Sequence, residues 1–209
     1  MIGTGAVSRA ILIGACAFSL SGCISLLPKS KPAQLYRFGN AVAPSTDAAS
    51  AAKIGISRGR GNFDRASSGD RILTVEGEQI AYIAEARWVS PAAVLFDEAL
   101  ARSFGEAAGP ARLLSRGESG RADYVLNFDV QDFETVYENG PGAAPIVVVR
   151  MAVNLTRMRD RSLVAQDIFQ ARVSTSDNRV SAITAGYDKA VAETLGKLVT
   201  WVNRAVAPS

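Results

Sequence analysis

The chain has 209 residues, 23 Lys+Arg against 20 Asp+Glu for a net charge of +3, and no histidine. Without imidazole there is no Ser-His-Asp triad, no histidine base near neutral pH and no histidine metal ligand. The length suffices for one domain with a substantial core, and the near-balance of charge argues against nucleic acid as a partner.

At the N-terminus, Met1 to Arg9 forms a head with one basic residue, Ala10 to Ser19 is almost wholly apolar, and Leu20-Ser21-Gly22-Cys23 closes the run. Charged head, apolar middle and small residues at the cut are the layout of a secretory signal. The apolar stretch falls short of the ~20 residues that span a bilayer. A cysteine directly after small residues resembles the lipobox of bacterial lipoproteins. That resemblance implies cleavage after Gly22, a diacylglycerol on the Cys23 thiol and acylation of the new amino terminus. Cys16 lies inside the signal, so Cys23 is the single mature thiol; neither a disulfide nor a cysteine metal site is expected. Ile24 to Pro32 mixes prolines, serines and lysines and reads as a tether. The expected division is a signal peptide over 1–22, a lipidated tether over 23–33 and a folded domain over 34–205.

Short β-prone runs follow at Gln34 to Phe38 and Lys53 to Ser57, separated by a loop from Ala41 to Ala52 rich in Ala, Ser and Pro. Arg71 to Val75 and Gln79 to Trp88 flank Glu76-Gly77-Glu78 as a hairpin, with Ile80, Tyr82, Ala84, Ala86 and Trp88 expected on one face. Ser90-Pro91 offers a cap and a first-turn proline. Ala92, Leu95, Phe96, Ala99, Leu100 and Ser103 then keep helical spacing until Gly105.

In the second half Tyr124, Leu126, Phe128 and Val130 alternate with Asn127, Asp129 and Gln131, and Asp132 falls out of phase. Val147, Val149, Met151, Val153 and Leu155 mark one face of a strand over Ile146 to Thr156, and Leu163 to Val173 is a third. Hairpin-length connections favour antiparallel neighbours. Asp177 is a candidate cap for a last helix striped by Val180, Ile183, Tyr187, Val191, Thr194, Leu195, Leu198 and Val202. The fold class is α+β: a mixed or antiparallel sheet with two helices packed on one face.

No set of residues compels catalysis. Asp123, Asp129 and Asp132 are the densest carboxylates, yet the first two sit about 20 Å apart on a polar strand face at ~3.3 Å per residue. Gly55, Gly59 and Gly61 with Arg58 and Arg60 lack the Walker spacing and read as a turn or strand end. Arg157, Arg159 and Arg161 cluster at a hairpin tip. They fit either a solvated turn or a contact with lipid headgroups or an acidic partner. Trp88 and Trp201 read as packing residues, with an interface role as the alternative. Candidate partner or oligomer contacts are therefore Trp88, Arg157, Arg159 and Arg161, and a homo-oligomer is among the expectations. No catalytic, metal-binding or cofactor-binding residue is assigned, and no cofactor beyond the acyl and diacylglycerol lipid on Cys23.

Three segments carry a wider resemblance: Tyr36-Arg37-Phe38, then Asn62-Phe63-Asp64-Arg65 leading to Ile72-Leu73-Thr74-Val75, then Tyr82 with Ala86-Arg87-Trp88-Val89-Ser90-Pro91 opening a helix. Together they resemble the ABC-type transport auxiliary lipoproteins, the lipoprotein components of MCE lipid-transport systems. The family's usual Tyr-Arg-Leu, Leu-Asp-Arg and Arg-Trp-Ala-Glu-Pro are altered here at Phe38, Phe63 and Val89-Ser90. The resemblance implies a non-enzymatic periplasmic accessory of a system that moves phospholipids or other hydrophobic molecules between inner and outer membranes. Its partners would be an MCE-domain protein, an ABC permease and an ATPase. Ile24 in place of Asp favours, by resemblance to enterobacterial sorting, the periplasmic face of the outer membrane. Two other readings stay open: a structural lipoprotein assembling lipopolysaccharide or polymer-export machinery, and a carboxylate-based envelope hydrolase.

Overall fold

The computed structural model describes residues 32–40, 54–118 and 120–207. The signal, Cys23, most of the tether and the loop expected over Ala41 to Ala52 lie outside the described residues. Among the described residues eight strands form one mixed sheet: β1 (Gln34–Tyr36), β2 (Ile54–Phe63), β3 (Arg71–Glu76), β4 (Gln79–Trp88), β5 (Ala111–Leu113), β6 (Tyr124–Val136), β7 (Ile146–Arg157) and β8 (Leu163–Ser174). Helix α1 (Ala92–Glu106) follows β4, and α2 (Val180–Val206) closes the described chain.

Strand β6 is the trunk of the sheet. One edge pairs antiparallel with β7 along its whole length, and β7 pairs likewise with β8. The other edge is shared: β2 runs parallel to its first half and β3 to its last residues, Thr74 opposite Thr135 and Val75 opposite Val136. A bulge between Val130 and Asp132 marks the branch point. Two residues of β6 there face one step of β7, which bends the strand and shifts its phase. Leu126 and Val130 face the core before the bulge, and Phe133 and Thr135 after it. The out-of-phase Asp132 of the sequence follows from this bulge, whose extra residue is Gln131.

Both helices cover one face. Ala92, Leu95, Phe96, Ala99, Leu100 and Phe104 form the buried stripe of α1, and α2 buries Ile183, Tyr187, Val191, Leu195, Leu198 and Val202 against β7 and β8. At 1.5 Å per residue α2 is about 40 Å long, the length of a 12-residue strand at ~3.3 Å per residue, so it lies along the sheet's full height. Beneath the helices, Phe38, Trp88, Phe133 and Tyr187 form an aromatic cluster in which Trp88 packs edge-on and the other rings are tilted, extended through Phe63 and Phe96. Such pairs add about 0.5–1.5 kcal/mol each beyond area burial.

Local departures from expectation have clear causes. In β4, Ala86 and Trp88 face inward but Ile80 is exposed. The register against β3 breaks between Arg71 and Leu73, and Glu85 takes φ 55°, so one face cannot persist along the strand. Helix α1 starts after Pro91 without a side-chain cap, and α2 starts after Arg179. Asp177 accepts from the Arg179 N–H (2.7 Å), fixing the turn just before α2 instead of capping it. Strand β2 runs through Gly59 and Gly61 instead of turning there.

Candidate functional site

A Cβ on Gly59 would sit 2.2 Å from Asn127 Oδ1, and one on Gly61 would sit 2.6 Å from Phe128 Cζ. These glycines let β6 side chains lie across β2; they do not cradle phosphate. The Asn127 carbonyl accepts the Arg60 N–H (2.8 Å), and its amide donates to Asn154 Oδ1 (2.9 Å). This polar ladder floors a groove of about 870 Å³ on the helix-free face, walled by Asp129, Gln166 and Ile168. A second cleft, about 470 Å³ between β2 and α1, holds Arg58 and Arg116, both directed at Asp97 (3.7 and 3.3 Å).

The three acids singled out in the sequence do not converge. Asp123 Oδ2 accepts the Gly55 N–H (3.1 Å) and ties β2 to the start of β6. Asp129 lies in the groove, and Asp132 faces Arg150 at 3.8 Å. Glu134 is half-buried on the same strand. Loss of solvent raises its pKa first, and the charges of Asp132 and Asp64 add to the rise, against Arg172. On the core side, the buried Thr135 hydroxyl donates to Tyr187 Oη (3.2 Å), and burial pushes the Tyr187 phenol well up. Among the described residues no His, Cys, Asp and Glu cluster could hold a metal ion.

Trp88, expected as a candidate contact, is 2% exposed and packs edge-on against Phe38 and Tyr187. Its ring is occupied by the core and is not presented to a partner. Trp201 is partly buried and packs against Phe169 on β8.

Arg157, Arg159 and Arg161 do come together, at the turn from β7 to β8. Arg157 N–H donates to the Ser162 carbonyl (2.9 Å), and Asp160 Oδ1 accepts from both the Ser162 N–H (3.1 Å) and hydroxyl (2.7 Å). Those Ser162 hydrogen bonds, then the Arg157 guanidinium, hold the Asp160 carboxyl at about 2. Arg161 takes φ 57°, a left-handed conformation unusual for a residue with a side chain. Because Tyr124 pairs with Arg157, the segment before β6 lies alongside, and the Met158 N–H donates to the Asp123 carbonyl (2.9 Å). Arg121 is thereby added to the cluster, lining with Ile54, Tyr124, Met158 and Arg159 a cleft of about 730 Å³. Arg121 was not singled out in the sequence; the β6–β7 pairing is the signal that would have placed it there.

Protein XCC0632 from Xanthomonas campestris, of the DUF330 family, shares this fold: 20% identity and a TM-score of 0.72 over 83% of this chain and 96% of that one. An uncharacterized protein shares it at 13% identity and a TM-score of 0.60, over 85% of this chain and all of that one. No curated protein matches the sequence. Residues 68–199, from the turn before β3 to well inside α2, match the family model described as "ABC-type transport auxiliary lipoprotein component". The chain therefore belongs to the ABC-type transport auxiliary lipoprotein family.

Proposed function

We propose that this chain is a non-enzymatic, lipid-anchored periplasmic accessory of an MCE-type ABC transport system. Such a system moves phospholipids or other hydrophobic molecules between the inner and outer membranes. The observation that carries the reading is Leu20-Ser21-Gly22-Cys23 standing ahead of a domain of the transport auxiliary family. One acyl chain binds a membrane marginally and several bind it firmly, so a triacylated Cys23 would suffice to hold the domain. Ile24 directs it to the periplasmic face of the outer membrane. Nucleotide hydrolysis belongs to the ATPase subunit; the scattered Asp123, Asp129 and Asp132 support a docking role over a catalytic one.

Crosslinked pull-down of the acylated chain from membranes should recover an MCE-domain protein and its permease. Recovery of polymer-export or lipopolysaccharide-assembly components in their place would overturn the reading. Membrane fractionation should put the chain with outer-membrane markers, and an inner-membrane signal alone would reject that placement.

A further inference from the structure

We infer that the β7–β8 hairpin end is a second membrane contact, which docks on anionic phospholipid headgroups. Four arginines gather there: Arg121, Arg157, Arg159 and Arg161. The side chains of Arg121 and Arg159 are 90% and 81% exposed. The two acids among them also hold the fold, Asp123 at the Gly55 N–H and Asp160 at Ser162. They pair loosely with three of the arginines (Arg121–Asp123 3.9 Å, Arg157–Asp160 3.4 Å, Arg159–Asp160 3.9 Å), so two carboxylates face four guanidiniums. No acid pairs with Arg161 among the described residues, and the surface keeps an excess of positive charge.

Two large apolar side chains stand at the same end, Met158 at 48% and Leu163 at 57% exposure. Protruding apolar groups ringed by arginines suit a headgroup boundary, where the apolar part enters and the guanidiniums meet phosphate. An acidic protein surface would use the arginines and leave Met158 and Leu163 in water, which is why a bilayer is the better-matched occupant. Arg161 adds a third observation, since a side chain held at positive φ on an exposed tip is a conformational cost that the fold itself does not require. The turn is already locked by Asp160 and Ser162, so the charges are arranged before contact.

This inference rests on the lipid-anchored reading in one respect. A tether over 23–33 can reach at most about 40 Å, so an anchored domain meets its bilayer at high effective concentration and weak contacts count.

Mature Cys23 is occupied by lipid in that reading, so Met158→Cys supplies the one free thiol for an environment-sensitive fluorophore. The acylated chain would be placed in phosphatidylcholine vesicles with or without phosphatidylglycerol. A blue shift with phosphatidylglycerol alone is expected, and Arg159→Ala with Arg161→Ala should lower the docked ratio about thirty-fold and remove it. A probe at Glu78→Cys, on the β3–β4 turn at the other end of the sheet, should not shift. Equal shifts at both positions, a shift independent of phosphatidylglycerol, or no shift would overturn the inference. Crosslinking from the same thiol to an acidic protein without any vesicle shift would assign the surface to that protein instead. If the chain proves unacylated, it will not float with phosphatidylcholine, and the anchoring reading fails. The free Cys23 thiol would then be replaced by Ser, and the same probe on the chain mixed with phosphatidylglycerol vesicles would still decide the hairpin.

Discussion

At the scale of single residues, the hairpin tip separates what holds the fold from what faces outward. Arg161 adopts φ 57° although nothing in the turn uses its side chain. A left-handed residue with a Cβ costs about 1–2 kcal/mol, and glycine gives back part of that gain through its looser unfolded chain. Arg161→Gly should therefore stabilise the domain by about 0.5–1 kcal/mol, a rise of roughly 1–4 °C in thermal melting. The same change should lower vesicle docking about fivefold. A melting point lowered by the substitution would mean that the arginine braces the turn. Acid does not confuse the comparison. Asp160 is depressed to about 2 from an unfolded value near 3.9, so its contribution is complete above that value and is lost only as pH falls toward 2.

Among the elements, β6 decides the architecture, and its bulge decides β6. Val130 pairs with Met151 and Asp132 with Arg150, so Gln131 is the extra residue. Deleting Gln131 would make the pairing one-for-one and still leave Phe133 and Thr135 facing the core. That variant should stay folded, losing less than the ~3–5 kcal/mol of emptying a buried phenylalanine site. Deleting Gln131 and Asp132 together turns Phe133 outward and should abolish cooperative urea unfolding. If the two variants unfold alike, the bulge is not what sets the phase. Much of this was legible beforehand: the break at Asp132, the antiparallel run of β6, β7 and β8, and both helices follow from local period. The parallel pairings of β6 with β2 and β3 join segments far apart in sequence, and no local pattern encodes them. Strand β5, three residues beside β2, has too little length for alternation to register. The arginine hairpin was visible as a charged turn. Its neighbour Arg121 was not, because only strand pairing brings it there. Trp88 stayed open between packing and interface for a related reason: indole chemistry suits either, and only the aromatic neighbours decide for the core.

Across the whole molecule, charge is divided between the two ends of the sheet. Glu76 and Glu78 on the β3–β4 turn and Glu138 after β6 gather at one end, where Glu138 pairs with Arg172. The arginine hairpin occupies the other. A domain polarised in this way would be oriented by an anionic surface as well as attracted to it. Acyl chains and arginines hold by different physics, and salt tells them apart. Burial of acyl methylenes contributes about 0.8 kcal/mol each and does not depend on ionic strength in this range. Headgroup attraction does, because the screening length shrinks from about 10 Å at 0.1 M to about 3 Å at 1 M salt. Raising salt across that range should return the Met158→Cys probe to its phosphatidylcholine signal while the chain still floats with the vesicles. Release of the whole chain by salt would show that arginines alone held it. A probe signal unmoved by salt would show that Met158 and Leu163 hold the tip without charge. Only the intermediate result, an anchored chain with a lifted tip, fits a domain set at the membrane by lipid and turned toward it by its own field.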